Sequence, residues 1–159
     1  MSGPLAIFIC SGNTCRSPLA EAVAGMLFPN WTFRSAGVGA VAGCPASAGT
    51  CDMARDRRLD LNGHRSQRLD AELASTAAWL IGMTADHVSA IHAALPGYLG
   101  KVGKLGCPGV VLGSCDDPVP GEDVDDPWRQ GTELAYELMA EQVERLLAAW
   151  AHVFMEAPR

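Results

Sequence analysis

Cys10-Ser11-Gly12-Asn13-Thr14-Cys15-Arg16-Ser17-Pro18 is the stretch that decides how this chain reads. An apolar run, Leu5-Ala6-Ile7-Phe8-Ile9, precedes it, and a helix-like run from Leu19 to Phe28 follows. A short, continuously apolar run suits a strand buried on both faces of a parallel sheet. Leu19, Val23 and Met26-Leu27 recur at helical spacing. A thiol therefore ends a strand, a guanidinium follows six positions later, and a helix opens behind both. A phosphate dianion needs many donors converging on one point. The N–H groups of a tight loop at a helix N-terminus supply them without desolvating long side chains. Gly12 is expected to take backbone angles closed to other residues. Asn13 tolerates the left-handed region and can bond across the loop. Arg16 offers a planar fork for two phosphate oxygens. Ser17 is expected to cap the helix, with Pro18 at its first position, while the Ser17 hydroxyl also donates to the Cys10 sulfur. Such a field of donors favours the thiolate of Cys10, which is the nucleophilic form. Cys10 and Arg16 are thus candidate catalytic residues, and Ser11, Gly12, Asn13, Thr14, Cys15 and Ser17 candidate phosphate-binding residues. The plainer alternative is a buried structural cysteine and a surface arginine. The strand before, Gly-Asn within and Ser-Pro-helix after argue against it.

Outward from this loop, strand-like and helix-like segments alternate. Trp31 to Ser35 reads as a second strand and Ala46 to Leu59 as a helix, although Gly49 inside it argues against one. Trp79 to Met83 reads as a third strand, Ala85 to Leu95 as a helix stopped by Pro96-Gly97, and Lys101 to Leu105 as a short fourth strand. Gly106 to Pro127 is rich in Gly, Pro and Asp and reads as a loop. A final helix is expected to bury Leu134, Leu138, Val143, Leu146-Leu147, Trp150 and Phe154 along one stripe. The expected fold is α/β: one three-layer domain, residues 1–159, with a four-stranded parallel sheet flanked by helices. The phosphate loop would follow strand 1, at the carboxyl end where such sheets bind ligands.

Composition narrows the function. At 159 residues and 48% hydrophobic content, the chain can build a full core and is not disordered. Twelve basic against 18 acidic residues leave a net charge of −6, which disfavours nonspecific nucleic-acid binding. No apolar run reaches the roughly 18 residues of a membrane span, and no secretory signal is evident. Of six cysteines, Cys44, Cys51, Cys107 and Cys115 lie outside the loop and show no zinc-site spacing. A cytoplasmic protein with reduced thiols and no metal or cofactor is expected.

The loop resembles the phosphate loop of the low-molecular-weight protein-tyrosine phosphatases, and the resemblance spans nearly the whole chain. Arg34-Ser35-Ala36-Gly37, His64-Arg65-Ser66-Gln67-Arg68-Leu69, Met83 and Asp126-Pro127-Trp128 fall in that family's order. The resemblance implies in-line attack by Cys10 on phosphorus and a phosphocysteine intermediate. Asp126 would protonate the leaving group and then activate water. The partner would be a phosphorylated protein and the product inorganic phosphate. Arg16 and the loop amides would carry the charge without a metal. The resemblance also implies Trp128 as a wall of the substrate cleft and His64 bonded to Asn13 or Ser17. Cys15 would form a protective disulfide with Cys10 under oxidation. Asp116, Asp117, Asp123 and Asp125 compete with Asp126 for the acid role, but only Asp126 has the Asp-Pro-aromatic context ahead of the last helix. The length of the Gly106–Pro127 loop suggests that Asp126 closes over substrate.

Thr14 bears on substrate. Tyrosine-specific members commonly carry a bulkier aliphatic residue there, and bacterial members acting on phosphoarginine resemble this chain in having threonine. An acidic rim of Asp123, Asp125 and Asp126 suits a cationic leaving group. Phosphoarginine is therefore favoured slightly over phosphotyrosine. Two other classes stay open: arsenate reduction on the same fold, for which residues 52–106 hold no relay cysteine, and a noncatalytic phosphoprotein-binding module.

Overall fold

The chain's alternating segments form the expected sheet. The computed structural model describes residues 3–155. Four strands, β1 (Leu5–Cys10), β2 (Thr32–Gly37), β3 (Ala77–Gly82) and β4 (Lys101–Lys104), make a parallel sheet in the order β2-β1-β3-β4. Six helices accompany them among the described residues: α1 (Arg16–Leu27), α2 (Ala48–Asp56), α3 (Ala71–Ala74), α4 (Ala85–Ala94), α5 (Glu133–Ala149) and α6 (Ala151–Phe154). None is long and apolar enough to cross a membrane.

β1 shows why its sequence is apolar throughout. Ala6, Phe8 and Cys10 face one core, shared with α1, α2, α5 and α6, while Ile7 and Ile9 face the other, shared with α3 and α4. Alternate residues point to opposite faces, and both faces are covered. The strand's carboxyl end lies between β2 and β3, so the loop after Cys10 emerges at the middle of the sheet.

Three expectations need correction. The Ala46–Leu59 helix is shorter, capped by Ser47 accepting from Thr50 N. Gly49 lies inside it. A Cβ there would lie 2.6 Å from the Tyr136 ring, so the missing side chain lets α2 pack against α5. The last helix breaks at Trp150 into α5 and α6. Trp150 and Phe154 are buried as expected, but Leu134 and Leu138 are exposed, at 62% and 56%. The buried stripe runs through Tyr136, Met139, Ala140, Val143 and Leu147. At about 100° per residue, Leu134 and Leu138 fall well off that stripe, and Leu138 lines the cavity described next.

Candidate active site

Cys10 ends β1 almost wholly buried, and its sulfur receives two donors. Asn13 N lies 3.3 Å from Sγ and Ser17 Oγ 2.9 Å from it. Asn13 Nδ2 donates to that same Ser17 Oγ at 2.9 Å. The serine proton is thereby free for the sulfur, an arrangement that favours thiolate. Ser17 consequently does not cap α1. The cap position is Cys15, with no side-chain bond, and Pro18 is the third helical residue rather than the first. That first-turn position tolerates a missing N–H.

Asn13 holds the loop together. It takes φ of 57°, the left-handed conformation expected of it, whereas Gly12 has no positive φ, and a Cβ there would meet nothing closer than Thr14 Oγ1 at 3.8 Å. The turn thus rests on the asparagine and not on the glycine. Asn13 Oδ1 accepts from Gln67 N at 2.9 Å, and its carbonyl accepts from His64 Nε2 at 2.7 Å. Of the two partners named for His64, the bond goes to Asn13. Gln67 is an addition that its place beside His64 could have suggested.

Arg16 is buried at 6% exposure. Its Nη1 donates to Val124 O at 3.1 Å, and Nη2 stands 3.6 Å from Asp126 Oδ2. Its Nε has no partner among the described residues. Asp126 is partly exposed, and its Oδ1 accepts from Trp128 N at 3.0 Å. The other acids differ. Asp123 is occupied by Lys104 Nζ at 2.6 Å and by Ala85 N at 3.0 Å. Burial would raise the Asp123 pKa, but Lys104 and that N–H outweigh it and hold the carboxyl below its usual range. Asp116 accepts from Gly113 N at 2.6 Å. The end of the long loop is anchored: Val124 N bonds Met83 O at 2.9 Å, two residues before Asp126 stands beside Arg16. The backbone pairing anchors what loop length alone left free.

Arg16, Asp126 and Ser11 line one cavity of about 770 Å³. Trp128 lies outside it, 68% exposed, in a neighbouring hollow with Ser47 and Tyr136. Both of those residues reach the loop's second thiol: Cys15 Sγ lies 3.2 Å from Ser47 Oγ and 3.8 Å from Tyr136 OH. Cys10 and Cys15 are both free thiols. Thr14 is half-buried and accepts from Ser47 N through its carbonyl. Sequence reasoning missed His87, whose Nε2 lies 3.0 Å from Ser11 Oγ across 76 positions of chain. Thr84 three residues earlier marks a helix cap, but nothing local marks that contact.

Comparison with known proteins agrees with this geometry. The family described as "Low molecular weight phosphotyrosine protein phosphatase" matches residues 6–157. The probable low molecular weight protein-tyrosine-phosphatase EpsP of Ralstonia solanacearum is 30% identical over 144 residues, 91% of each chain. Among solved structures, Vibrio vulnificus Wzb in complex with benzylphosphonate superposes with a TM-score of 0.81 at 29% identity, covering 94% of this chain and 97% of that one. The YwlE arginine phosphatase, in a cysteine-to-serine mutant with a phosphorylated active-site serine, gives 0.82 at 29% identity and covers 98% of each. The chain belongs to the low molecular weight protein-tyrosine phosphatase family and is an enzyme of that class.

Proposed function

We propose that this chain, acting as one domain over residues 1–159, hydrolyses phosphoarginine or phosphotyrosine in proteins, with phosphoarginine favoured. The observation that carries the phosphatase chemistry is the Cys10 sulfur, met by Ser17 Oγ and Asn13 N, in the same loop as a buried Arg16 that faces Asp126. Cys10 attacks phosphorus in line, an S–P bond forms, and the bond to the leaving atom breaks. Asp126 gives that atom a proton. Water then attacks phosphorus, Asp126 takes its proton, and phosphate leaves Cys10. Arg16 and the loop N–H groups meet the charge that develops on the phosphoryl oxygens. Asp126 is the acid best supported by position, because Asp123 and Asp116 are already engaged. A cytoplasmic setting keeps such a thiol reduced.

Two observations favour phosphoarginine. Thr14 gives the loop a small, hydroxyl-bearing side chain where it would border the substrate. The cavity of Arg16 is also lined by Asp86, Asp123, Asp125 and Asp126, a rim suited to a guanidinium leaving group. One of the solved relatives is itself named an arginine phosphatase. The test is kcat/KM on matched phosphoarginine and phosphotyrosine peptides for wild type and Thr14→Ile. A phosphoarginine preference of about tenfold or more that the substitution reverses is expected. A phosphotyrosine preference unmoved by Thr14→Ile would overturn it.

A further inference from the structure

The second residue of the phosphate loop is tied to the start of α4. Gly82 ends β3, and a Cβ on it would lie 2.9 Å from His87 Cβ and 3.2 Å from Val88 N. Only a hydrogen there lets the first turn of α4 lie against the strand end. That turn begins with a reciprocal cap. Thr84 Oγ1 accepts from His87 N at 3.2 Å, and His87 Nδ1 accepts from Thr84 N at 3.2 Å. With Nδ1 an acceptor, the neutral ring carries its proton on Nε2. That nitrogen lies 3.0 Å from Ser11 Oγ and donates to it. Burial, and then the Arg16 charge, push the His87 pKa down to about 4, which keeps the ring neutral near pH 7. Ser11 Oγ, having accepted from His87, keeps its own proton to donate. It is exposed and lines the same cavity as Arg16 and Asp126.

We propose that His87 is a positioning residue: its Nε2–H orients the Ser11 hydroxyl so that Ser11 donates to an oxygen of the phosphoryl group held over Cys10. This rests on the phosphatase reading. The cap needs only Nδ1 of the ring, and the contact of Nε2 with the loop is additional to it. A neutral donor also suits the place, because an imidazolium would be repelled by Arg16 and would lose the Thr84 N–H bond. Ser11 would thus add a donor to those of Arg16 and the loop amides. The path from Thr84 N–H through the ring to Ser11 sets its direction.

The test is a double-mutant cycle on Ser11→Ala and His87→Leu. It reads kcat and KM on para-nitrophenyl phosphate, and Kd for inorganic phosphate by calorimetry. Each single change is expected to weaken phosphate binding and kcat/KM by about tenfold, the size of one hydrogen bond to a charged acceptor. The double variant should be no worse than the weaker single. His87→Gln, whose amide can both accept from Thr84 and donate towards Ser11, should recover most of the loss. Should His87→Leu fail to fold, His87→Phe takes its place in the cycle. Losses that multiply in the double variant, or a His87→Leu defect of the same size in the Ser11→Ala background, would overturn the proposal and leave His87 as a helix cap only. If wild type with reduced Cys10 binds phosphate but turns over nothing, the phosphatase reading fails, and the phosphate Kd cycle still decides the role of His87.

Discussion

The phosphate loop and the acid-bearing loop are built in opposite ways. In the first, Asn13 and Ser17 are fully buried, and each side chain bonds to another group of the loop or to the segment behind it. In the second, Asp126 is partly exposed, and the chain before it is held from outside the loop, Val124 by Met83 and Arg16, Asp123 by Lys104, Ala85 and Gln142, and Glu122 by Arg145. A nucleophile must keep its geometry whether or not substrate is bound, and buried, mutually satisfied groups provide that. A group that first gives and then takes a proton needs water and leaving group to pass it, and a partly exposed tip allows this. Arg16 belongs to both regions, with its head between Val124 O and the Asp126 carboxylate. The two loops therefore meet at one guanidinium.

If this contrast is right, damage to the acid loop should slow proton transfer and spare phosphate binding. The largest effect is expected from Asp126→Asn. With a poorly acidic leaving group, kcat should fall by roughly 10²- to 10⁴-fold while the Kd for inorganic phosphate and the melting temperature hardly move. An equal loss in phosphate affinity would break the contrast, because Asp126 would then be part of the anion site. A smaller effect is expected from Lys104→Met. Lys104 is buried at 1% exposure, and its Nζ also donates to Gly121 O at 2.8 Å. Asp123 is half exposed and can hydrate once the lysine is gone, so the loss should be about 1–3 kcal/mol in urea denaturation rather than that of a stranded buried charge. The loosened loop should lower kcat several-fold and leave phosphate Kd unchanged. A variant with wild-type kcat would show that the contacts other than Lys104 suffice to hold Asp126.

The smallest effect concerns the scaffold under both loops. His87 has its pKa lowered from 6.5 to about 4, so its contribution to stability is full above pH 6.5 and is lost as pH falls through 4. Glu21 on α1 has its pKa raised by burial from 4.5 to about 7, against the pull of Ser35 and of the Arg34 charge. Its contribution is full below pH 4.5 and is lost as pH rises through 7. Between pH 4.5 and 6.5 the two slopes oppose each other, and wild-type stability should be nearly flat in that range on their account. Glu21→Gln removes one slope. Its unfolding free energy should then drop by about 2 kcal/mol between pH 6.5 and pH 4.5, measured by urea titration. A flat profile in Glu21→Gln would mean that His87 is not held neutral by the fold.

What the sequence determined by itself was whatever local order encodes. The apolar run before Cys10, the helical spacing after Ser17 and the alternation of later segments fix a parallel α/β sheet with the loop at its centre, because side-chain period follows backbone geometry. Cys10, Asn13, Arg16 and Asp126 were legible because the first three lie within one loop and the last carries its own Asp-Pro-aromatic context. Tertiary structure decided what depends on groups far apart in the chain. Of the two roles expected of the Ser17 hydroxyl, it kept the bond to the Cys10 sulfur and dropped the helix cap, because Asn13, itself tied to Gln67 behind the loop, donates to the same oxygen. It turned Leu134 and Leu138 outward, because the buried face of α5 is set by where α1 and α2 lie and not by hydrophobicity alone. It left Trp128 outside the cavity of Arg16, engaged Asp123 with a buried lysine, and brought His87 to Ser11 across the sheet's carboxyl edge. These contacts have no period and no short spacing, and they exist only once the strands are side by side.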